Sequence, residues 1–194
     1  MTKRTIIVSI SILLVGLVGF YSTSIFFDSL KNTPVPVALD VEVVEKKETP
    51  IQEPHLLQLL QSVGATRIED LTLTYISEKK YDIQLGEYFG NTVQVAQGLT
   101  IEQETRTLAH EYLHYIWSKV MTASKRVDLN EKLEVLLAND PAMQKRVEPY
   151  VKIDRLNNSE LFSIYCTEST DSYILPILDE CNKYIDRSKL VLTR

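Results

Sequence analysis

The sequence predicts an α+β protein: a small antiparallel sheet, then a mostly helical C-terminal half, the whole preceded by one transmembrane helix. Three observations predict it. No charged residue occurs from Thr5 to Phe27. Three short, partly alternating segments, 71–76, 83–89 and 92–97, are punctuated by Gly86, Gly90 and Gly98. Beyond residue 100, apolar residues recur at helical spacing.

Taken in order, the uncharged run would form a helix about 35 Å long, enough to cross a hydrocarbon core of about 30 Å. Lys3 and Arg4 precede it and Asp28 follows, so residues 1–4 stay in the cytoplasm and the chain after residue 28 lies outside. A cleaved signal peptide, giving a secreted protein, is the rival reading. The run is longer than the usual apolar core of such peptides and ends in no A-x-A site, which favours a signal anchor over residues 5–27. Residues 28–53 read as an extracytoplasmic tether, broken by Pro34, Pro36 and Pro50 and carrying the solvated cluster Glu45-Lys46-Lys47-Glu48. The folded domain is expected at 54–194. A formal net charge of −5 argues against a nucleic-acid partner held by backbone electrostatics.

Within that domain, Leu56, Leu57, Leu59, Leu60 and Val63 make a short helix stopped by Gly64, with His55 in a surface or capping role at its start. The three strand segments follow. Thr100 and Gln103 form a capping-box pattern that opens the next helix. Later helices are expected over Asp128–Ala138, with Asp128 as cap, over Ala142–Val151, over 159–168 behind Asn157 or Asn158, and over Ile177–Ile185. The tail from Arg187 would dock as a short strand or extended segment.

The helix opened by Thr100 carries Thr107–Trp117, T-L-A-H-E-Y-L-H-Y-I-W. His110 and His114, four apart, lie one turn above the other on one face, and Glu111 projects beside them. H-E-x-x-H on a helix is the zinc-peptidase signature, in which two imidazoles bind Zn²⁺ and the carboxylate acts as general base. The chain has three histidines, and this motif uses two of them. The competing structural interpretation is an amphipathic core helix whose histidines are merely hydrogen-bonded. The uncharged neighbours Ala109, Tyr112, Leu113, Tyr115 and Ile116 suit a helix beneath a catalytic cleft. In zinc peptidases the strand before such a helix is commonly an edge strand that pairs with extended substrate; from pattern alone 92–97 fits a plain hairpin strand equally well.

Catalytic zinc keeps three protein ligands. No histidine follows His114, so a third ligand from the C-terminal side must be Asp or Glu. At this point the chain resembles the gluzincin clan, which pairs H-E-x-x-H with a glutamate on a later helix, often with a small residue three on and an aromatic two further. Glu160-Leu161-Phe162-Ser163-Ile164-Tyr165 has that shape. The two motifs together also resemble small membrane-anchored bacterial metallopeptidase-like proteins, over residues 70–187. The spacing departs from thermolysin-like members: forty-five residues lie between His114 and Glu160, which implies an insertion of one or two helices. Glu168, eight residues on and about 80° around the helix, is the alternative ligand. Glu160 is preferred for its place at the helix start.

The resemblance implies a zincin-like domain and a metallopeptidase that hydrolyses peptide bonds outside the cytoplasm. Zn²⁺ on His110, His114 and Glu160 would activate water, Glu111 would carry its proton, and a Tyr, His or Arg would stabilise the oxyanion. Tyr184 and Arg187, in Y-I-D-R, are the candidates for that donor, with Tyr150, Tyr165 and Tyr173 still open. The alternative function is a catalytically idle zincin-like scaffold that binds an extracellular or cell-wall partner. Cys166 and Cys181 either form a disulfide, clamping the ligand helix to the last helix, or remain two thiols; their spacing does not decide.

Overall fold

The computed structural model describes residues 50–76 and 85–191. The expected anchor at 5–27 and the expected tether up to residue 49 lie outside the described residues. Among the described residues no helix is long and apolar enough to cross a membrane. The fold is α+β and mostly helical, with six α-helices and one three-stranded sheet among the described residues.

Helix α1 (Pro54–Ser62) starts on proline, whose fixed φ and missing N–H suit a first turn. It buries Leu56 and Leu60, four residues apart, and ends before Gly64 at φ +72°. His55 lies inside the helix and does not cap it; its Nε2 lies 2.9 Å from Glu104 Oε2, which ties α1 to the motif helix.

Strands β1 (Thr72–Ile76), β2 (Gly86–Phe89) and β3 (Thr92–Ala96) form a sheet in the order β1–β3–β2. Strands β2 and β3 make an antiparallel hairpin turned at Gly90, φ +65°. Strand β1 runs parallel to β3, so the sheet is mixed where a wholly antiparallel one was expected. The reason lies in burial. Strand β3 carries Val93, Val95 and Ala96, all buried, and takes the centre, where both its edges are paired. Alternation fixes which face of a strand is inward but not which strand lies beside it. With β3 central, the edge strand nearest the motif helix is β2. On the other side, residues 51–53 already pair with β1 ahead of Pro54: Leu73 N–H donates to Ile51 O at 2.9 Å, and Glu53 N–H to Leu73 O at 3.0 Å.

The motif helix α2 (Ile101–Tyr115) has its full capping box. The Thr100 side chain accepts from Gln103 N–H, and the Gln103 side chain accepts from Thr100 N–H. It runs on into a π-helical turn, Ile116–Val120. Helix α3 (Ala123–Ala138) begins five residues before Asp128. Thr122 is its cap, accepting from Lys125 N–H, and Asp128 sits inside the helix, 3.0 Å from Lys132 Nζ at i+4. Helix α4 (Pro141–Lys152) is capped by Asp140, and α5 (Asn158–Glu168) by Asn157. From Glu160 to Thr167 every residue of α5 is buried, so it runs through the core rather than along its surface.

Helix α6 (Leu178–Asn182) is shorter than expected, and the tail forms a 3₁₀ turn, Arg187–Lys189, in place of a strand or extended segment. Cys166 on α5 and Cys181 on α6, Cα atoms 5.4 Å apart, form a disulfide. Beside it, the buried Arg187 donates to the carbonyls of Tyr165, Cys166 and Ser169 and pairs with Asp171 at 3.0 Å. These bonds add to the single cap bond from Ser169 N–H to Tyr165 O and give the carbonyls at the C-terminal end of α5 side-chain partners.

Candidate metal centre and its cleft

Helix spacing puts His110 and His114 on one face of α2, and capping puts Glu160 opposite them. Asn157 Oδ1 accepts from Glu160 N–H at 3.0 Å, which fixes Glu160 in the first turn of α5. Its carboxylate then reaches both imidazoles: Oε1 lies 3.3 Å from His110 Nε2, and Oε2 3.2 Å from His114 Nε2. The two Nε2 atoms are themselves 3.2 Å apart. One ligand atom from each of the three residues falls within 4.8 Å of the others.

These donors fit zinc. Tetrahedral bonds of about 2.0–2.1 Å set neighbouring ligand atoms about 3.3–3.4 Å apart, close to the separations found here. Glu160 Oε1 is buried without a hydrogen bond, an orphan that a cation would satisfy. His114 Nδ1 lies 2.7 Å from Ser159 Oγ; with the hydroxyl accepting, Nε2 is left bare towards the centre.

Electrostatics agree with the geometry. Burial would lower the His110 pKa, but the charge of the nearby Glu160 carboxylate outweighs that and pushes it up to about 9. Burial would raise Glu160, yet the two histidines hold it well below the ordinary carboxylate range. Glu111, the residue after His110, is 7 % exposed. Burial raises its pKa, and the opposing pull of His110 and His114 does not cancel that.

A cleft of about 460 Å³ opens over these residues. One wall is Leu85 with the first residues of β2, Gly86 to Tyr88; the other is α4 and the segment after it, including Arg146, Tyr150 and Arg155. Strand β2 comes very close to the motif helix. A Cβ on Gly86 would lie 2.6 Å from Glu111 Cγ and 2.7 Å from Thr107 Cγ2. Only glycine allows this approach.

No protein-family model, curated protein or solved structure matches this chain. What the site can do rests on its own residues.

Four of the seven predicted site residues come together: His110, Glu111, His114 and Glu160. Glu168 lines the same cleft but is not part of the trio. Arg146 holds it with two parallel bonds, Nε to Oε2 at 2.8 Å and Nη2 to Oε1 at 2.7 Å. Tyr184 and Arg187 are not brought to the cleft. Tyr184 Oη donates to Glu180 at 3.0 Å, and the Arg187 guanidinium is committed to the end of α5. Tyr150, left open by the sequence, does line the cleft. Its phenol pKa is raised by burial and then by the Glu160 carboxylate. The Arg146 guanidinium stands over its ring, 5.5 Å from the centroid.

Three contributors escaped the sequence reading. A lone glycine inside a strand pattern signals close backbone approach, and Gly86 carried that signal. Ser159, beside Glu160, carried a weaker one. Nothing in the sequence ties Arg146 to Glu168, because the pairing forms between two helices.

Proposed function

We propose that this chain is a membrane-anchored zinc metallopeptidase of the gluzincin type, with a zincin-like domain that hydrolyses peptide bonds outside the cytoplasm. The observation that carries the reading is the convergence of His110, His114 and Glu160 from two helices, with the buried Glu111 beside them. The Cys166–Cys181 disulfide supports a domain that matures in an oxidising compartment.

In this reading His110, His114 and Glu160 hold the ion. Bound there, zinc would supply Lewis acidity to a water molecule and to a peptide carbonyl. The other steps belong to the chain. Glu111 accepts a proton from the attacking water and delivers it to the departing amine nitrogen as the C–O bond forms and the C–N bond breaks. Its raised pKa suits a group that must take a proton and give it back. Tyr150 replaces Tyr184 and Arg187 as the donor to the developing oxyanion, oriented by Arg146, which Glu168 fixes in turn. The outer edge of β2 offers backbone groups to an extended peptide lying along the cleft.

The test is metal content together with one substitution. The purified protein should hold about one zinc per chain and cleave peptides. Glu111→Gln should lower kcat by about 10²–10⁴-fold while zinc content stays the same. Bound zinc with no cleavage by the wild type would leave a scaffold that binds a partner. No zinc at all would end the reading.

A further inference from the structure

We infer that Arg106 is a carboxylate-recognition residue, which makes the substrate a peptide bearing a carboxylate within about two residues of the bond cut. The inference deepens the peptidase reading above and rests on it.

The cleft holds three guanidinium groups, and they are not equivalent. Arg146 is bound by both oxygens of Glu168. Arg155 is also engaged. Arg106 lines the cleft half-buried, and among the described residues it has no hydrogen bond or ion pair. A guanidinium without a partner on the wall of a binding cleft has five donors free in a planar fork, a shape that fits a carboxylate through two parallel bonds. Lysine would offer only a point charge.

Its position sets the reach. Arg106 is four residues before His110 on α2, so it stands on the same face, a little over one turn or about 6 Å along the axis. A residue of extended peptide advances about 3.4 Å. A peptide following β2 past the metal centre therefore brings a group one or two residues away under Arg106. At Gly86, β2 presses against Thr107, the residue after Arg106, and against Glu111, so the strand runs beside this stretch of the helix. The carboxylate has two sources, an Asp or Glu side chain or the free C-terminus of the peptide. Arg106 recognises the chemistry they share.

Binding to the full-length, zinc-supplied Glu111→Gln protein tests this without turnover. The probes are alanine hexapeptides carrying one Glu at each position in turn, their Gln counterparts, and the unsubstituted hexapeptide with a free or an amidated C-terminus. Calorimetry should show at least tenfold tighter binding for one carboxylate form over its amide, weakening as salt is raised. A Glu-over-Gln preference points to a side chain, and a preference for the free end points to the terminus. Arg106→Gln should abolish the preference, and Arg106→Lys should restore part of it. Equal binding of acid and amide forms, a preference that survives Arg106→Gln, or no binding of any hexapeptide would each overturn the assignment. The two readings fail separately. Wild-type cleavage without acid preference sinks the Arg106 role alone, whereas Arg106-dependent carboxylate binding in a protein without zinc or cleavage sinks the peptidase alone.

Discussion

Glu160 and Glu168 stand on one helix, eight residues apart, with side chains 11 % and 12 % exposed. Burial does not separate them; their neighbours do. Glu168 faces a permanent cation and is satisfied through both oxygens by Arg146. Glu160 faces two imidazoles whose Nε2 atoms crowd to 3.2 Å, and one of its oxygens has no hydrogen bond. A buried carboxylate with a matched guanidinium is a closed structural unit. One set against two imidazoles, with an oxygen to spare, leaves a place where a cation can take over from a histidine proton. The same contrast runs along α5 itself. Its C-terminal end is fastened by a disulfide and by Arg187, and its N-terminal end presents Glu160 to the two imidazoles.

The largest expected effect comes from breaking each carboxylate in turn. Glu160→Ala should cut zinc affinity by more than the roughly 10–100-fold typical of losing an outer partner, and hydrolysis with it. Glu168→Ala should keep about one zinc per chain. It should lower stability by about 1–2 kcal/mol, discounted because the Arg146 side chain is 36 % exposed. Metal analysis and thermal melts of the two variants read the difference directly. If Glu168→Ala loses the metal instead, the roles are reversed.

Next is the wall above the base. Gly86→Val would drive a side chain into Glu111 and Thr107, so β2 or Glu111 must shift. Activity should fall by about 10²-fold, the effect of a misplacement of about 1 Å, with zinc content unchanged.

Proton release sharpens the comparison further. In the metal-free chain, with its pKa pushed up to about 9, His110 holds a proton at neutral pH. Zinc needs the bare nitrogen, so uptake at pH 7 should release about one proton, and affinity should fall as pH drops below 9. The sign for stability follows the same shift. The raised pKa stabilises the metal-free fold below about 6.5, and that contribution is lost as pH rises through about 9. Calorimetry in buffers of different ionisation enthalpy measures the proton. Glu168→Ala should leave it in place, because Glu160 supplies the main opposing charge.

The smallest effect belongs to Tyr184. Tyr184→Phe removes a bond to Glu180, and neither residue lines the cleft, so kcat should stay within about threefold of the wild type. A loss of 10²-fold would return Tyr184 to the reaction.

The motif helix was legible because everything it needs is local: a capping box over four residues, a histidine pair at helical spacing and a base between them. Glu160 was legible through its capping asparagine and its place in the first turn. The order of the strands was not, because hydrogen bonds between strands join residues far apart in the chain, and alternation carries no record of the partner. Arg187 misled for a related reason. A cationic residue in a polar tail looks available until the fold closes over it and sets it on the carbonyls of α5.

The sequence by itself determined the chemistry on offer, namely two imidazoles one helical turn apart with a carboxylate between them, since a helix converts spacing into geometry with no help from the rest of the chain. Only the tertiary structure decided which distant glutamate meets those imidazoles, which guanidinium in the cleft stays without a partner, and whether the two cysteines meet. Each of those depends on how separate helices pack, and packing is settled by the whole core at once.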